Sequence, residues 1–136
     1  MTYEKSYQVK DDHIDVQGIM DGLYYPFYME WCRHDFVKEQ LGFDLEAKAK
    51  EGTNMVLSQY TIKFKRPLKK GDELIVTCSA HPDKEGKPRF HLKQEILCDG
   101  KVMTEGTFSA TCISADGGRP FIPANIVEKL EGIEAV

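Results

Sequence analysis

At 136 residues and a formal charge of −4, the chain suits one core-bearing domain over residues 1–136, and its scattered basic residues exclude a nucleic-acid footprint. Cys32, Cys78, Cys98 and Cys112 form no CxxC and lack zinc-ligand spacing with the histidines, which excludes a metal site and predicts reduced, mostly buried thiols. The charged N-terminus has no apolar leader and no segment approaches membrane-spanning length, so no membrane span and a cytoplasmic setting are expected.

Tyr3 to Lys10 alternates loosely and predicts a first strand. Asp11 to Gly22 is aperiodic, a loop that Asp21-Gly22 closes as a cap for the next element. Leu23 to Leu41 predicts a long helix, with Tyr24, Phe27, Tyr28, Trp31, Val37 and Leu41 as its apolar stripe. Pro26 is tolerated in the first turn, and Gly42 suits the position just past the end. Glu46 to Gly52 reads as a short helical turn or loop.

From Asn54 the period drops to two. Val56, Ser58, Tyr60, Ile62 and Phe64 form one face of a strand, and Leu57, Gln59, Thr61, Lys63 and Lys65 form the other. Arg66 to Asp72 is a turn, Leu74 to Ala80 a strand, and His81 to Pro88 a second turn. Phe90 to Cys98 and Val102 to Ile113 are strands joined by Asp99-Gly100, a hairpin signal that makes them antiparallel neighbours. Pro123 to Leu130 predicts a short terminal helix.

The class is α+β: one long helix, and an antiparallel sheet of about five strands. One helix covers one face, leaving Thr61, Lys63, Thr77, Thr107, Ser109 and Thr111 on a half-polar face and two open edges that favour a homo-oligomer.

Asp15-Val16-Gln17-Gly18 carries the chemistry. A loop carboxylate facing a helix N-terminus supplies two parts of acyl transfer: a base or nucleophile, and backbone N–H donors for an oxyanion. Together with Tyr25, Tyr28, Glu30 and Arg33 at their offsets, this segment resembles the signature of hotdog-fold thioesterases of the 4-hydroxybenzoyl-CoA type, including acyl-CoA thioesterases associated with the Tol-Pal system. Phe64-x-Arg66-Pro67-Leu68-x-x-Gly71-Asp72-x-Leu74 and Arg119-Pro120-Phe121-Ile122-Pro123 resemble downstream segments of that family, in order and over nearly the whole chain.

The resemblance implies a hotdog fold, a long central helix wrapped by the curved sheet, in a homodimer or homotetramer with active sites between subunits. It implies hydrolysis of an acyl-CoA or acyl-carrier-protein thioester without a cofactor or metal. Asp15 is then the nucleophile or general base, Gly18 shapes its loop with close backbone approach, and the amide of Gly22, with that of Leu23, binds the oxyanion. Many relatives have Asp where this chain has His13, and Asn or His where it has Gly22.

Tyr25 and Tyr28 are expected to line the core or the acyl pocket. Lys63, Lys65, Arg66, Lys87 and Arg89 are candidates for CoA phosphates, or equally a solvated strand edge. Glu30 and Arg33, three apart on the helix, have the spacing of an ion pair. His13 reads first as a solvated loop histidine, with the alternative that it shares a loop face with Asp15 and shuttles its proton. The competing functions are a non-catalytic hotdog module that binds acyl-thioesters and a dehydratase, whose His-acid motif His13 and Asp15 do not reproduce.

Overall fold

Five strands and three helices form within residues 3–136, the part described by the computed structural model. They are β1 (Tyr3–Gln8), α1 (Tyr25–Leu41), α2 (Leu45–Lys50), β2 (Thr53–Phe64), β3 (Glu73–Pro82), β4 (Phe90–Cys98), β5 (Lys101–Ser114) and α3 (Ala124–Leu130). Every strand pairing is antiparallel and the order is β1-β3-β4-β5-β2, so β1 and β2 are the edges. Asp99 and Gly100 turn β4 into β5 with φ of 51° and 76°, the doubly positive geometry that matches the twist of the strands it joins.

α1 packs on one face of this sheet through Tyr25, Tyr28, Met29, Cys32, Arg33, Phe36, Val37 and Leu41, spaced by threes and fours. The expected stripe was rotated from this one. Phe27 is 44% exposed, and the buried line runs through Met29, Cys32 and Phe36 instead. Val76, Leu92, Ile96, Phe108 and Ala110 meet it from the sheet, and burying each large apolar chain contributes about 1.5–3 kcal/mol. A 3-10 turn, Gly22–Tyr24, leads directly into α1, and the Gly42 N–H closes its far end on Val37 O. Asp44 caps α2, accepting from Ala47 N–H at 3.1 Å. This is the helix-against-sheet arrangement that the resemblance implies. Among the described residues, no helix is long and apolar enough to cross a membrane.

The uniform alternation expected along β2 is broken by a bulge between Leu57 and Gln59. Leu57 pairs with Ala110 and Tyr60 with Phe108, both helix-facing, so the inward phase switches from odd to even positions across Ser58. Val56 and Ser58 therefore do not share a face with Tyr60, Ile62 and Phe64. Directly paired residues share a face, which sets Thr61 and Lys63 with Thr107 and Glu105 on the outer side.

That outer face is not fully open. The β3-β4 turn folds over Ser109 and Thr111, which are only 2% and 8% exposed. Beneath it, His91 Nδ1 meets Ser109 Oγ and His91 Nε2 meets Asp83 Oδ1, both at 2.8 Å. Arg89 Nε donates to the same carboxylate at 2.8 Å, and Thr111 Oγ1 donates to Pro88 O at 2.6 Å.

Candidate active site

Asp15 is carried on a miniature hairpin. Asp21 N–H donates to His13 O (2.9 Å), Asp15 N–H to Ile19 O (2.8 Å) and Gly18 N–H to Asp15 O (3.1 Å). Gly18 has φ 82° and nothing lies within 4 Å of where a Cβ would sit. Within the chain its requirement is therefore conformational. The half-buried Asp15 carboxylate accepts from Gln17 N–H at 2.7 Å and Gln17 Nε2 at 3.3 Å, which fixes its orientation while leaving lone-pair capacity unused.

Two further sets of bonds hold the hairpin in place. Met20 N–H donates to Leu68 O at 2.8 Å and Ile19 bridges Lys69, lacing it to the turn after β2. Leu68 N–H in turn donates to the Tyr25 hydroxyl at 3.1 Å. On the other side, the Tyr28 hydroxyl accepts from Lys10 N–H (3.0 Å) and bonds His13 Nδ1 (2.7 Å). His13 therefore engages Tyr28 and stacks on Tyr24, with ring centroids 4.1 Å apart, rather than joining Asp15.

At the start of α1 the two expected oxyanion donors differ. Leu23 N–H is taken by Asp21 Oδ1 at 2.9 Å, so it is not available. Gly22 N–H has no partner among the described residues and faces the start of a helical segment, where the aligned peptide dipoles favour negative charge. A cleft of about 390 Å³ opens beside it, lined by Ile19, Met20, Gly22, Tyr25, Phe64 and Arg66 among others. Tyr25 packs edge-on against Phe64 with centroids 5.0 Å apart. Burial pushes its hydroxyl pKa up, and the Leu68 N–H only partly opposes this, so it remains a neutral donor.

The other predicted residues divide by position. Tyr28 is fully buried with its hydroxyl occupied, so within one chain it supports the hairpin and does not line the cleft. Arg66 lines the cleft, whereas Lys63 stands on the outer face opposite Glu105. Arg89 is bound to Asp83 at the start of β4, the opposite end of the sheet from the cleft. Glu30 and Arg33 do not pair: Glu30 meets His34 at 3.6 Å, while buried Arg33 donates to Gln94 Oε1 at 3.1 Å and lies 4.2 Å from the Phe108 ring centre. Burial lowers the Arg33 pKa. Phe64 is a cleft residue that the pattern put on the apolar face without assigning it to the site; its signal was its inward phase at the end of an edge strand.

The family model of the thioesterase-like superfamily matches residues 9–130. A chloroplastic acyl-acyl carrier protein thioesterase of Arabidopsis thaliana is 31% identical over 74 residues, 54% of this chain and 38% of its own length. The chain thus spans well under half of the curated relative it matches. Among solved structures, a gentisyl-coenzyme A thioesterase superposes with TM-score 0.81 at 23% identity, covering 93% of this chain and 98% of that one. A 1,4-dihydroxy-2-naphthoyl-CoA thioesterase from Synechocystis gives 0.84 at 15% identity, covering 98% of each. At such identities the structural likeness establishes the fold.

Proposed function

Because the chain belongs to the thioesterase-like superfamily, we propose that it hydrolyses an acyl thioester of coenzyme A or of a carrier protein to the free acid and thiol. Asp15 delivers the attack on the thioester carbonyl, either directly, with water then hydrolysing the acyl-Asp15 anhydride to the free acid and restoring the carboxylate, or by taking a proton from the water that attacks. The Gly22 N–H receives the oxyanion as the tetrahedral centre forms, and collapse expels the thiolate, which is then protonated. Tyr25 and Phe64 bound the acyl group, and Arg66 stands where a phosphate of the pantetheine-bearing half can reach it. The observation that carries this reading is the unpartnered Gly22 N–H, at a helical start and beside a largely apolar cleft, laced to the hairpin that holds Asp15.

A second copy of the chain completes the site in this reading. β2 is an open edge whose Leu57, Tyr60 and Phe64 are 41%, 52% and 57% exposed, and pairing two such edges buries them. In an antiparallel pair the Met55–Leu57 end of one β2 approaches the Phe64 end of the other. The apolar pocket of about 330 Å³ between α1 and β2, lined by Glu30, His34, Met55 and Leu57, then adjoins the partner's Gly22 cleft. Arg89, at the Leu57 end of the sheet that the partner's cleft then adjoins, is left for the partner's substrate, whereas Lys63 stands on the outer face at the Phe64 end, beside its own chain's cleft. The unpaired thiols suit the cytoplasm.

The test is hydrolysis of a panel of acyl-CoAs by the wild type and by Asp15→Asn. Asparagine keeps an oxygen for Gln17 N–H, so the loop is preserved, and turnover is expected to fall about 10²–10⁴-fold. Retained turnover in Asp15→Asn sinks the assignment of Asp15, and tight CoA binding without turnover by the wild type identifies a binding module instead.

A further inference from the structure

The basic residues are not evenly scattered along the chain, as the composition suggests, because one segment concentrates them. Residues 63–70, Lys-Phe-Lys-Arg-Pro-Leu-Lys-Lys, carry +5 with no acid, while the remainder carries −9. Lys65 is neutralised at 2.9 Å by Glu105, whose carboxylate the Lys65 hydrogen bond, with Lys63 nearby, holds below its usual pKa. Arg66, Lys69 and Lys70 are exposed and, among the described residues, have no carboxylate within ion-pair distance.

Their placement ties this strip to the site. Arg66 lines the Gly22 cleft, and Lys69 bridges Ile19 of the Asp15 hairpin. Lys69 and Lys70 follow Arg66 in the chain but do not line the cleft, so the cations extend past the residues that a phosphate at the cleft would meet. Asp11 and Asp12 gather near Gly71 and bound the strip at its far end. On the hairpin itself, Val16 is fully exposed. A basic strip with an apolar neighbour, on a molecule otherwise acidic, steers and orients a compact acidic protein.

We propose that Arg66, Lys69 and Lys70 dock an acidic carrier protein, so that the acyl group arrives at the Gly22 cleft on the phosphopantetheine arm of that protein. This rests on the thioesterase reading above and names its carrier. Arg66 sits at the cleft mouth for the phosphate of the arm, and Lys69 and Lys70 meet the carboxylates of the carrier surface. The −9 carried by the rest of the chain repels the same partner elsewhere, which confines productive encounters to this side.

The experiment compares the wild type with Lys69→Glu/Lys70→Glu, using a fluorescently labelled acidic type II acyl carrier protein in its holo form for binding. Acyl-loaded carrier and the matching acyl-CoA are used for turnover. At low salt, wild-type binding to the holo carrier is expected to weaken at least tenfold in the double variant, and the difference is expected to shrink as salt is raised. KM for the acyl-carrier substrate should rise similarly with kcat retained, while KM for acyl-CoA stays within about twofold. Equal losses for both substrates overturn the proposal in favour of a simple phosphate anchor, as does wild-type binding that ignores the charge reversal or is absent at low salt. Salt-sensitive carrier binding without hydrolysis of either substrate leaves the docking intact and overturns only the thioesterase reading.

Discussion

Gly22 contributes a backbone atom, and its surroundings allow that atom to be removed without disturbing the fold. It is the first residue of the 3-10 turn, Asp21 before it sits at φ −61°, ψ 135°, and its own N–H has no partner among the described residues. The extended conformation of Asp21 is the one a following proline requires, and the first helical position is where proline is best accepted. Gly22→Pro therefore breaks no internal hydrogen bond, and the Asp21 cap on Leu23 N–H survives. By restricting the unfolded chain, the substitution should add about 0.4–1 kcal/mol of stability. At roughly 3–5 °C per kcal/mol for a chain of this size, the melting temperature rises by about 1–5 °C. Losing one oxyanion donor raises the barrier by about 2.7–4 kcal/mol, so kcat falls about 10²–10³-fold. Gly22→Ala is the control: its Cβ would stand 3.7 Å from Phe64 Cζ, an ordinary contact, and the N–H remains. Both variants are measured by thermal melts and by thiol release from saturating acyl-CoA. A folded Gly22→Pro enzyme within threefold of wild-type kcat, or an equal loss in Gly22→Ala, refutes the assignment of this amide.

Two further predictions concern the scaffold. His91 and Arg89, by hydrogen bonding, hold the Asp83 carboxyl well below the usual carboxylate range. A depressed folded pKa contributes stability that is complete above the unfolded value near about 3.9 and is lost as pH falls below it. Urea midpoints from pH 2 to 7 should show wild type above Asp83→Asn at neutral pH and the gap closing below about pH 4; a constant gap contradicts the network. Gln94→Leu strips buried Arg33 of the hydrogen bond it makes to Gln94 and should cost about 1.5–3 kcal/mol, whereas adding Arg33→Met recovers most of it. Additive losses in that double-mutant cycle disprove the coupling.

Legibility from sequence tracked how local the determinants were. The Asp99-Gly100 hairpin, the strands it joins and the span of α1 are encoded by neighbouring residues, and their positions came through. The phase of β2 did not, because one unpaired residue at Ser58 leaves no mark in an alternating pattern that stays chemically plausible on either side. The partners of Arg33 were hidden for a different reason. Glu30 is near in sequence and is taken up by His34, while the acceptor that reaches the guanidinium lies on β4 and depends on how the helix rolls over the sheet. Likewise, spacing placed His13 near Asp15, yet the Tyr28 hydroxyl, fifteen residues on, holds the ring.

The Asp15 hairpin is bonded to itself, to the turn after β2, and through Tyr28 to the core of α1. A segment laced on three sides is unsuited to act as a lid, and it has little means of melting ahead of the sheet. Its rigidity sets a working ceiling: on heating, the hairpin should stay ordered until its own subunit unfolds, so inactivation within an intact assembly coincides with global unfolding. Tolerance to heat then improves by strengthening any part of the core, and loosening the hairpin alone should slow turnover at temperatures where the protein remains folded.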